Sequence, residues 1–186
     1  MPLAFAIWRF SSPHSVEAEA EAYAVYSSYI ESRLRGGVGK LDIPGADILI
    51  CSEPAALYQK PVWKFFVAGL RSFSGNLGSA YSLFYLNVVD RGRRNNFLDG
   101  RFALPHPYKL ASSEDVLHLL DQTDSSKPHR GDAFSFSTVA FSNDLTEALF
   151  YADHRCGSLC GDEMYMFMRK INGKWIIQGH LVMGVA

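Results

Sequence analysis

The chain has 186 residues, of which 48% are hydrophobic and 13% aromatic, so it can bury a substantial core as one domain. Its formal net charge of −1 argues against nucleic acid or an anionic membrane surface as the main partner. No apolar run approaches the ~18 residues that a membrane-spanning helix needs, and the apolar content is too high for a disordered chain.

The N-terminal 14 residues have more than one interpretation. Residues 3–8 are apolar and Arg9 follows them, but no basic residue precedes them, as a secretory signal would require. We therefore interpret residues 1–14 as a degraded signal-like segment, an ordinary first strand or a flexible terminus. Residues 15–186 are predicted to form a single α+β domain. The cysteines described below favour export to an oxidising compartment such as a periplasm.

Helical patterns come first along the domain. Ser15 can cap a helix that runs to about Arg35. The apolar stripe of this helix consists of Tyr23, Tyr26, Ile30 and Leu34. Residues 47–51 are a short apolar run between proline-containing turns, which predicts a buried strand. Two further helices are predicted, at 61–71 and at 79–89.

The middle of the chain gives mixed signals. Residues 102–110 contain Pro105 and Pro107 and are at best an edge strand. Ser112 opens a clear helix, with Asp115 at the third position of a capping box. Residues 123–132 are polar and predict a linker, in which the Arg-Gly-Asp sequence at 130–132 is a chance tripeptide.

From Phe134 onward the hydrophobic period changes to two, which is typical of strands. Further strands are predicted at 148–154, 164–170 and 175–185, and Asn172-Gly173 indicates a tight hairpin between the last two. Met164, Met166 and Met168 should line one face of the sheet, with Tyr165 and Phe167 on the other. The predicted fold class is therefore α+β, with N-terminal helices followed by a C-terminal antiparallel meander of about four strands.

The C-terminal third also carries a recurrent pattern. It reads Phe136-Ser137-x-Val139-x-Phe141-x-Asn143, Ala148-x-x-Tyr151, Cys156-Gly-x-Leu-Cys160-Gly and Lys170-x-x-Gly173-Lys174-Trp175. This pattern resembles a signature of uncharacterised bacterial proteins, some of them exported, although Asp162-Glu163 stands where that signature continues with glycine. The group has no established activity, so the resemblance implies domain limits more than a function.

Cys156 and Cys160 are two of only three cysteines and are each followed by glycine. In an oxidising compartment they could form a disulfide that staples a hairpin loop. A catalytic redox pair would normally have two intervening residues at a helix N-terminus, whereas this pair has three between strands. Two buried thiols without a bond are a further alternative. The third cysteine, Cys51, is interpreted as a core residue of its strand.

Metal and acid–base chemistry are alternative uses of the same region. His154, Cys156 and Cys160, with His180 from the adjacent strand, are ligand types that could bind zinc, although their spacing is not that of a standard knuckle. Asp153-His154 and Asp162-Glu163 could form an acid–base cluster across the loop, but such residues are more often solvated. No other cofactor is indicated.

Two functions are compatible with these patterns. The first is a non-catalytic domain that binds a protein or a small ligand, with Tyr151, Tyr165, Phe167 and Trp175 lining a concave face. The second is a thiol-redox or zinc-dependent enzyme that uses His154, Cys156 and Cys160. The motifs of serine hydrolases, zinc proteases and nucleotide-binding proteins are absent from the sequence.

Overall fold

The computed structural model describes residues 16–35, 47–55, 77–90, 97–121, 131–157 and 160–185. The helices in these ranges are α1 (Val16–Arg35), α2 (Leu77–Asp90) and α3 (Ser113–Asp121). The strands are β1 (Asp47–Cys51), β2 (Tyr108–Ala111), β3 (Gly131–Phe136), β4 (Ala140–Phe141), β5 (Glu147–Gly157), β6 (Cys160–Ile171) and β7 (Lys174–Val185). The predictions for 1–14, for a helix at 61–71 and for a linker at 123–130 lie outside the described residues.

The strands form one mixed sheet of seven strands, in the order β2-β1-β3-β5-β6-β7, with β4 paired to β5. The meander of β5, β6 and β7 is antiparallel, as predicted. The predicted C-terminal antiparallel meander of about four strands is correct only in part. β3 is antiparallel to β5, but the sheet is mixed, because β1 lies between β2 and β3 and is parallel to both. A short, continuously apolar strand such as β1 is typical of the buried interior of a sheet, but its sequence does not reveal its neighbours.

Helices cover both faces of the sheet. Helix α1 packs on the face that carries Phe134, Phe150 and Met166, in the largest hydrophobic cluster. Helix α2 packs on the opposite face, against Leu149 and Tyr165. Helix α3 covers the same opposite face near β1 and β3, where Val116 meets Leu49, Cys51 and Ala133. The described part of the fold therefore has three layers, with α1 alone on one side.

Local sequence signals account well for the ends of these elements. The hairpin between β6 and β7 turns at Asn172 and Gly173, whose φ angles are 51° and 78°, as the Asn-Gly signal predicts. At the start of α3, the backbone N–H of Asp115 donates to Ser112 Oγ at 3.1 Å, and Ser112 Oγ donates to the Asp115 carboxylate at 2.7 Å. This reciprocal contact confirms Ser112 as the cap.

The helix predictions at 15–35 and 79–89 agree with α1 and α2, and the strand at 47–51 agrees with β1. The prolines at 105 and 107 precede β2, which lies at one edge of the sheet, and β7 lies at the other edge. The predicted linker ends too late, because Gly131 and Asp132 belong to β3. Among the described helices, none is both long and apolar enough to cross a membrane.

Candidate functional site: a buried polar cluster beneath helix α1

A group of polar side chains lies at one end of the sheet, on the face that α1 covers. Here β3 and β6 begin and β5 ends, with Phe134 paired to His154 and His154 paired to Asp162 across the strands. Because side chains alternate between the faces of a strand, Asp132 lies on the same face as Phe134. Cys156 lies at a register shift between Arg155 and Gly157, and its sulfur is within 4.8 Å of ligand atoms of Asp132 and His154. The apolar alternation of the three strands thus ends in a polar patch.

The centre of the patch is a buried pair formed by His154 and Asp132. The distance from His154 Nε2 to Asp132 Oδ1 is 2.7 Å, and the two side chains are only 2% and 5% exposed. The imidazole also stacks on the ring of Phe134, with centroids 4.7 Å apart. Packing and hydrogen bonding together hold the His154 ring in one orientation.

Arg33 reaches the patch from the last turn of α1. Arg33 lies seven residues, or about two helical turns, after Tyr26 on the buried stripe. Its side chain can therefore extend along the covered face of the sheet. Arg33 Nη2 is 2.6 Å from Asp162 Oδ2 and 3.0 Å from His154 Nδ1. The guanidinium therefore bridges the histidine and the second aspartate.

The contacts with Arg33 define the tautomer of His154. A guanidinium can donate but cannot accept a hydrogen bond, so Nδ1 of His154 must accept from Arg33. The ring proton then lies on Nε2, which donates to Asp132 Oδ1. Both ring nitrogens of His154 are therefore engaged in hydrogen bonds.

Two buried polar atoms beside this cluster have no hydrogen-bond partner among the described residues, namely Asp162 Oδ1 and the hydroxyl of Tyr29. Asp162 Oδ1 lies 4.0 Å from His154 Nδ1, just beyond hydrogen-bond distance. Burial raises the pKa of Tyr29, Arg33 lowers it, and Asp162 raises it again. The cluster therefore contains a carboxylate oxygen whose bonding capacity is unused.

Cys156 and Cys160 are joined by a disulfide across the β5–β6 hairpin, with Cα atoms 5.0 Å apart. Cys156 is buried, whereas Cys160 is half-buried. Cys51 is free and lies in the cluster under α3, on the opposite face of the sheet, where burial raises its pKa. The disulfide prediction and the core assignment of Cys51 thus agree with the structure.

Gly161 allows the two strands to approach each other closely beside the disulfide. A Cβ atom at this position would lie 2.7 Å from the carbonyl oxygen of His154. Any side chain at residue 161 would therefore displace β6 from β5 at the point where Asp162 faces His154. The glycine that follows Cys160 in the sequence has this packing role.

Asp132, His154 and Cys156 bring a carboxylate oxygen, an imidazole nitrogen and a sulfur within 4.8 Å of one another, and all three residues are buried. The predicted zinc set contained His154, Cys156 and Cys160 but included His180 in place of Asp132. His180 is exposed and pairs with Met166, four residues along β6 from Asp162, which is about 13 Å at the rise of a strand. The structure does not bring His180 to the cluster.

Sequence reasoning missed Asp132 and Arg33. Asp132 was assigned to a linker, although it continues the period of two that Phe134 and Phe136 establish. Arg33 lies seven residues after Tyr26, so the helical stripe itself places it on the buried side. In both cases the hydrophobic period of the strand or helix continues through the polar residue. That period was the available signal, and it was overlooked because the residue is polar.

The predicted aromatic binding face is not formed by the residues proposed for it. Tyr151, Tyr165 and Phe167 lie in the cluster under α2, while Trp175 lies in the cluster under α1. All four side chains are at most 5% exposed. They are core residues of opposite layers, because helices cover both faces of a sheet whose side chains alternate.

A groove of about 590 Å³ lies between α1 and the β6–β7 hairpin. Ser28, Ser32 and Arg35 of α1 line one wall, and Trp175 and Ile177 of β7 line the other. Its volume is within the range of small-molecule sites, about 300–1,000 Å³. Trp175 thus contributes to a cavity without the other three predicted aromatic residues.

Comparison with known proteins gives no match among protein-family models, curated proteins or solved structures. The resemblance to uncharacterised bacterial proteins therefore stays a prediction, and functional proposals for this chain depend on its own residues.

Proposed function

We propose that this protein is a non-catalytic, redox-responsive domain in which Cys156 and Cys160 interconvert between a disulfide and two thiols. The observation that carries the proposal is the position of the buried His154–Asp132 pair beside Cys156. The carboxylate and the imidazole compensate each other's burial through their hydrogen bond. Because they lie next to the Cys156 sulfur, their charge and dipole act on any thiolate that forms there.

A disulfide with a purely structural role explains the buried polar neighbours less well than a redox-active pair does. The two cysteines are four positions apart, and closing so short a loop restricts the unfolded chain by only about 2 kcal/mol. The β5–β6 pairing already extends from Glu147↔Arg169 to the disulfide itself. Because the strands are held together without the cross-link, the staple adds little to the folded state, and it gives no reason for the buried polar neighbours.

The different burial of the two cysteines suggests how exchange proceeds. An external dithiol, as its thiolate, attacks the half-buried Cys160 Sγ and breaks the bond to Cys156, which leaves as a thiolate. The second thiol of the reductant then attacks the mixed disulfide and releases Cys160, so that one protein disulfide becomes two thiols and the dithiol becomes a disulfide. His154 lies beside the departing Cys156 sulfur. The positive charge of Arg33, 3.0 Å from His154 Nδ1, favours a negative charge in this region.

The proposal is tested by the midpoint potential of the cysteine pair. The protein is equilibrated in glutathione and dithiothreitol buffers of defined potential, and the disulfide fraction is measured by alkylation and mass spectrometry. We expect a midpoint less negative than about −300 mV, below which structural disulfides of secreted proteins lie. Cys51→Ser is the control and should leave the midpoint unchanged, because Cys51 lies on the other face of the sheet.

Asp132→Asn adds a test of the buried neighbours. Removing the carboxylate removes a negative charge that opposes a thiolate at Cys156, so the dithiol state should become more favourable by on the order of 30 mV. A midpoint below about −300 mV that Asp132→Asn does not move would contradict the proposal and leave the structural staple as the better explanation.

Binding of a small ligand in the groove between α1 and the β6–β7 hairpin is a second candidate function. The specific support is an apolar wall at Trp175 and Ile177 next to the cations Arg35 and Lys174 at the rim. This combination suits a small molecule with an aromatic or aliphatic body and a carboxylate.

A further inference from the structure

The dithiol form of the β5–β6 hairpin offers a set of four metal ligands. We infer that, once the disulfide is reduced, the protein binds one zinc-class divalent cation through Asp132, His154, Cys156 and Cys160. The inference rests on the proposed function in one respect, which is that the disulfide opens under cellular conditions. It goes beyond the proposed function by naming a divalent cation as the ligand of the reduced state.

The ligand atoms are already close to the geometry that zinc requires. Neighbouring ligands of a tetrahedral zinc ion lie about 3.3–3.8 Å apart, given bond lengths of about 2.0–2.3 Å. Asp132, His154 and Cys156 provide their atoms within 4.8 Å of one another. Cys160 faces Gly157 across the hairpin and is held next to Cys156 by the strand pairing. Small side-chain movements are sufficient to enclose an ion.

Oxidation and metal binding exclude each other at this site. A sulfur in a disulfide is not a thiolate and does not ligate zinc, so the oxidised protein has only the carboxylate and the imidazole. Reduction by a dithiol supplies two electrons and gives two thiols. Binding of the cation then releases the two thiol protons and leaves Cys156 and Cys160 as thiolate ligands.

The unused oxygen of Asp162 has a role in the metal-bound state. A cation between Asp132 Oδ1 and His154 Nε2 replaces the ring proton, which moves to Nδ1 so that the imidazole stays neutral. Nδ1–H then needs an acceptor, and Asp162 Oδ1 lies 4.0 Å away without a partner among the described residues. A carboxylate behind a ligating histidine is a common device for orienting the ring, so Asp162 is a positioning residue.

Arg33 offsets part of the negative charge of the loaded site. A divalent cation with two thiolates and one carboxylate has a net charge of −1. Asp162 adds a further negative charge, and Arg33 supplies one positive charge while it keeps its contact with Asp162 Oδ2 at 2.6 Å, so the cluster as a whole stays at −1. The rearrangement therefore requires Arg33 to give up only its hydrogen bond to His154 Nδ1.

The test uses Co²⁺ as a spectroscopic probe for the zinc-class cation. The full chain with Cys51→Ser is reduced with a phosphine, its thiols are counted, and Co²⁺ is titrated without oxygen. We expect one Co²⁺ per chain with a thiolate-to-cobalt charge-transfer band, and no such band for the disulfide form. Zn²⁺ should displace the Co²⁺ and remove the band.

Variants distinguish the four ligands from their neighbours. Asp132→Asn and Cys160→Ser should each weaken Co²⁺ binding by about tenfold or more, and Cys160→Ser should also reduce the charge-transfer band. Asp162→Asn should weaken binding about 10- to 100-fold while the band keeps its intensity at saturation. His180→Ala is the matched control and should bind like the parent, because His180 lies on β7 away from the cluster.

The outcomes separate this inference from the proposed function. If the reduced protein shows two titratable thiols and no Co²⁺ band, or if Cys160→Ser binds as tightly as the parent, the metal site is overturned while the redox function stands. If the phosphine-reduced protein binds Co²⁺ but glutathione buffers do not open the disulfide, the redox function fails and the site remains.

Discussion

Two tyrosines of α1 differ in whether their buried hydroxyl groups have a partner. Tyr26 Oη donates to the carbonyl oxygen of Ser137 at 2.7 Å. Tyr29 is buried among Phe134, Phe136 and Phe150, and its hydroxyl has no partner among the described residues. An unpaired buried hydroxyl costs free energy, whereas a paired one contributes modestly to stability. The two residues therefore make a matched pair for measuring this difference.

Tyr26→Phe should lower the free energy of unfolding by about 1–1.5 kcal/mol, because it leaves the Ser137 carbonyl without this donor. Tyr29→Phe should leave the free energy of unfolding unchanged or raise it, since it removes a group that has no bond to lose. Urea denaturation of the two variants measures both values. Equal destabilisation by the two substitutions would contradict the assignment of Tyr29 as the unpaired member.

At the level of elements, the β5–β6 ladder places like charges opposite each other. Asp153 pairs with Glu163, and Arg155 Nε contacts Asp153 at 3.2 Å. Burial raises the pKa of Asp153, Arg155 lowers it and Glu163 raises it, so that the pKa stays above its ordinary value of 3.8. Because the folded-state pKa exceeds the unfolded one, this carboxyl favours the fold below pH 3.8 and loses that contribution as the pH rises through its folded pKa.

Asp153→Asn should therefore raise the free energy of unfolding at pH 7 by roughly 0.5–1 kcal/mol, and the gain should disappear below about pH 4. Asp144→Asn is the control with the opposite sign. A hydrogen bond from Ser142 holds the pKa of Asp144 below its ordinary value, so its loss should destabilise the protein at pH 7 and matter less as the pH falls. Parallel denaturation curves from pH 3 to 8 give both trends, and a gain for Asp153→Asn that persists at pH 3 would contradict the argument.

At the level of the molecule, covering both faces of the sheet decides which surfaces are available. Helix α1 buries the methionine face and α2 buries the face with Tyr165, so neither presents its aromatic residues to solvent. The groove forms where α1 does not close fully onto the hairpin, and Trp175 Nε1 donates there to Glu21 of α1 at 2.8 Å. Layer packing thus leaves this groove between α1 and the end of the sheet.

Indole-3-acetate, an aromatic carboxylate, serves as the probe for this groove. In an NMR titration we expect the largest shifts at Ser28, Ile177 and the indole N–H of Trp175, because these groups lie in or beside the groove. Lys174→Ala should weaken binding several-fold by removing a cation at the rim. Lys109→Ala, on the opposite edge strand β2, removes the same charge and should have no effect. Shifts spread over the whole surface, or equal effects of the two variants, would exclude the groove.

The sequence by itself determined most of the local structure in the described residues. Ser112, Asn172 and the apolar stripe of α1 act through contacts within a few residues, so their caps, turns and buried faces can be predicted from neighbours in the chain. The alternation in β6 likewise identified the faces of the three methionines and of Tyr165. These signals are short-range, and tertiary packing agreed with them.

Only the tertiary structure decided the sheet order and the composition of the site. The insertion of β1 beside β3 and the meeting of Arg33 with His154 join residues more than 80 positions apart, and no local pattern encodes such pairings. The tertiary structure also shows that Asp132, and not His180, lies beside His154. Which side chains are neighbours across a sheet depends on the register of the strands, and the sequence does not reveal that register. The residue type indicates which interactions a side chain can make, and the packing of distant segments determines which partners it has.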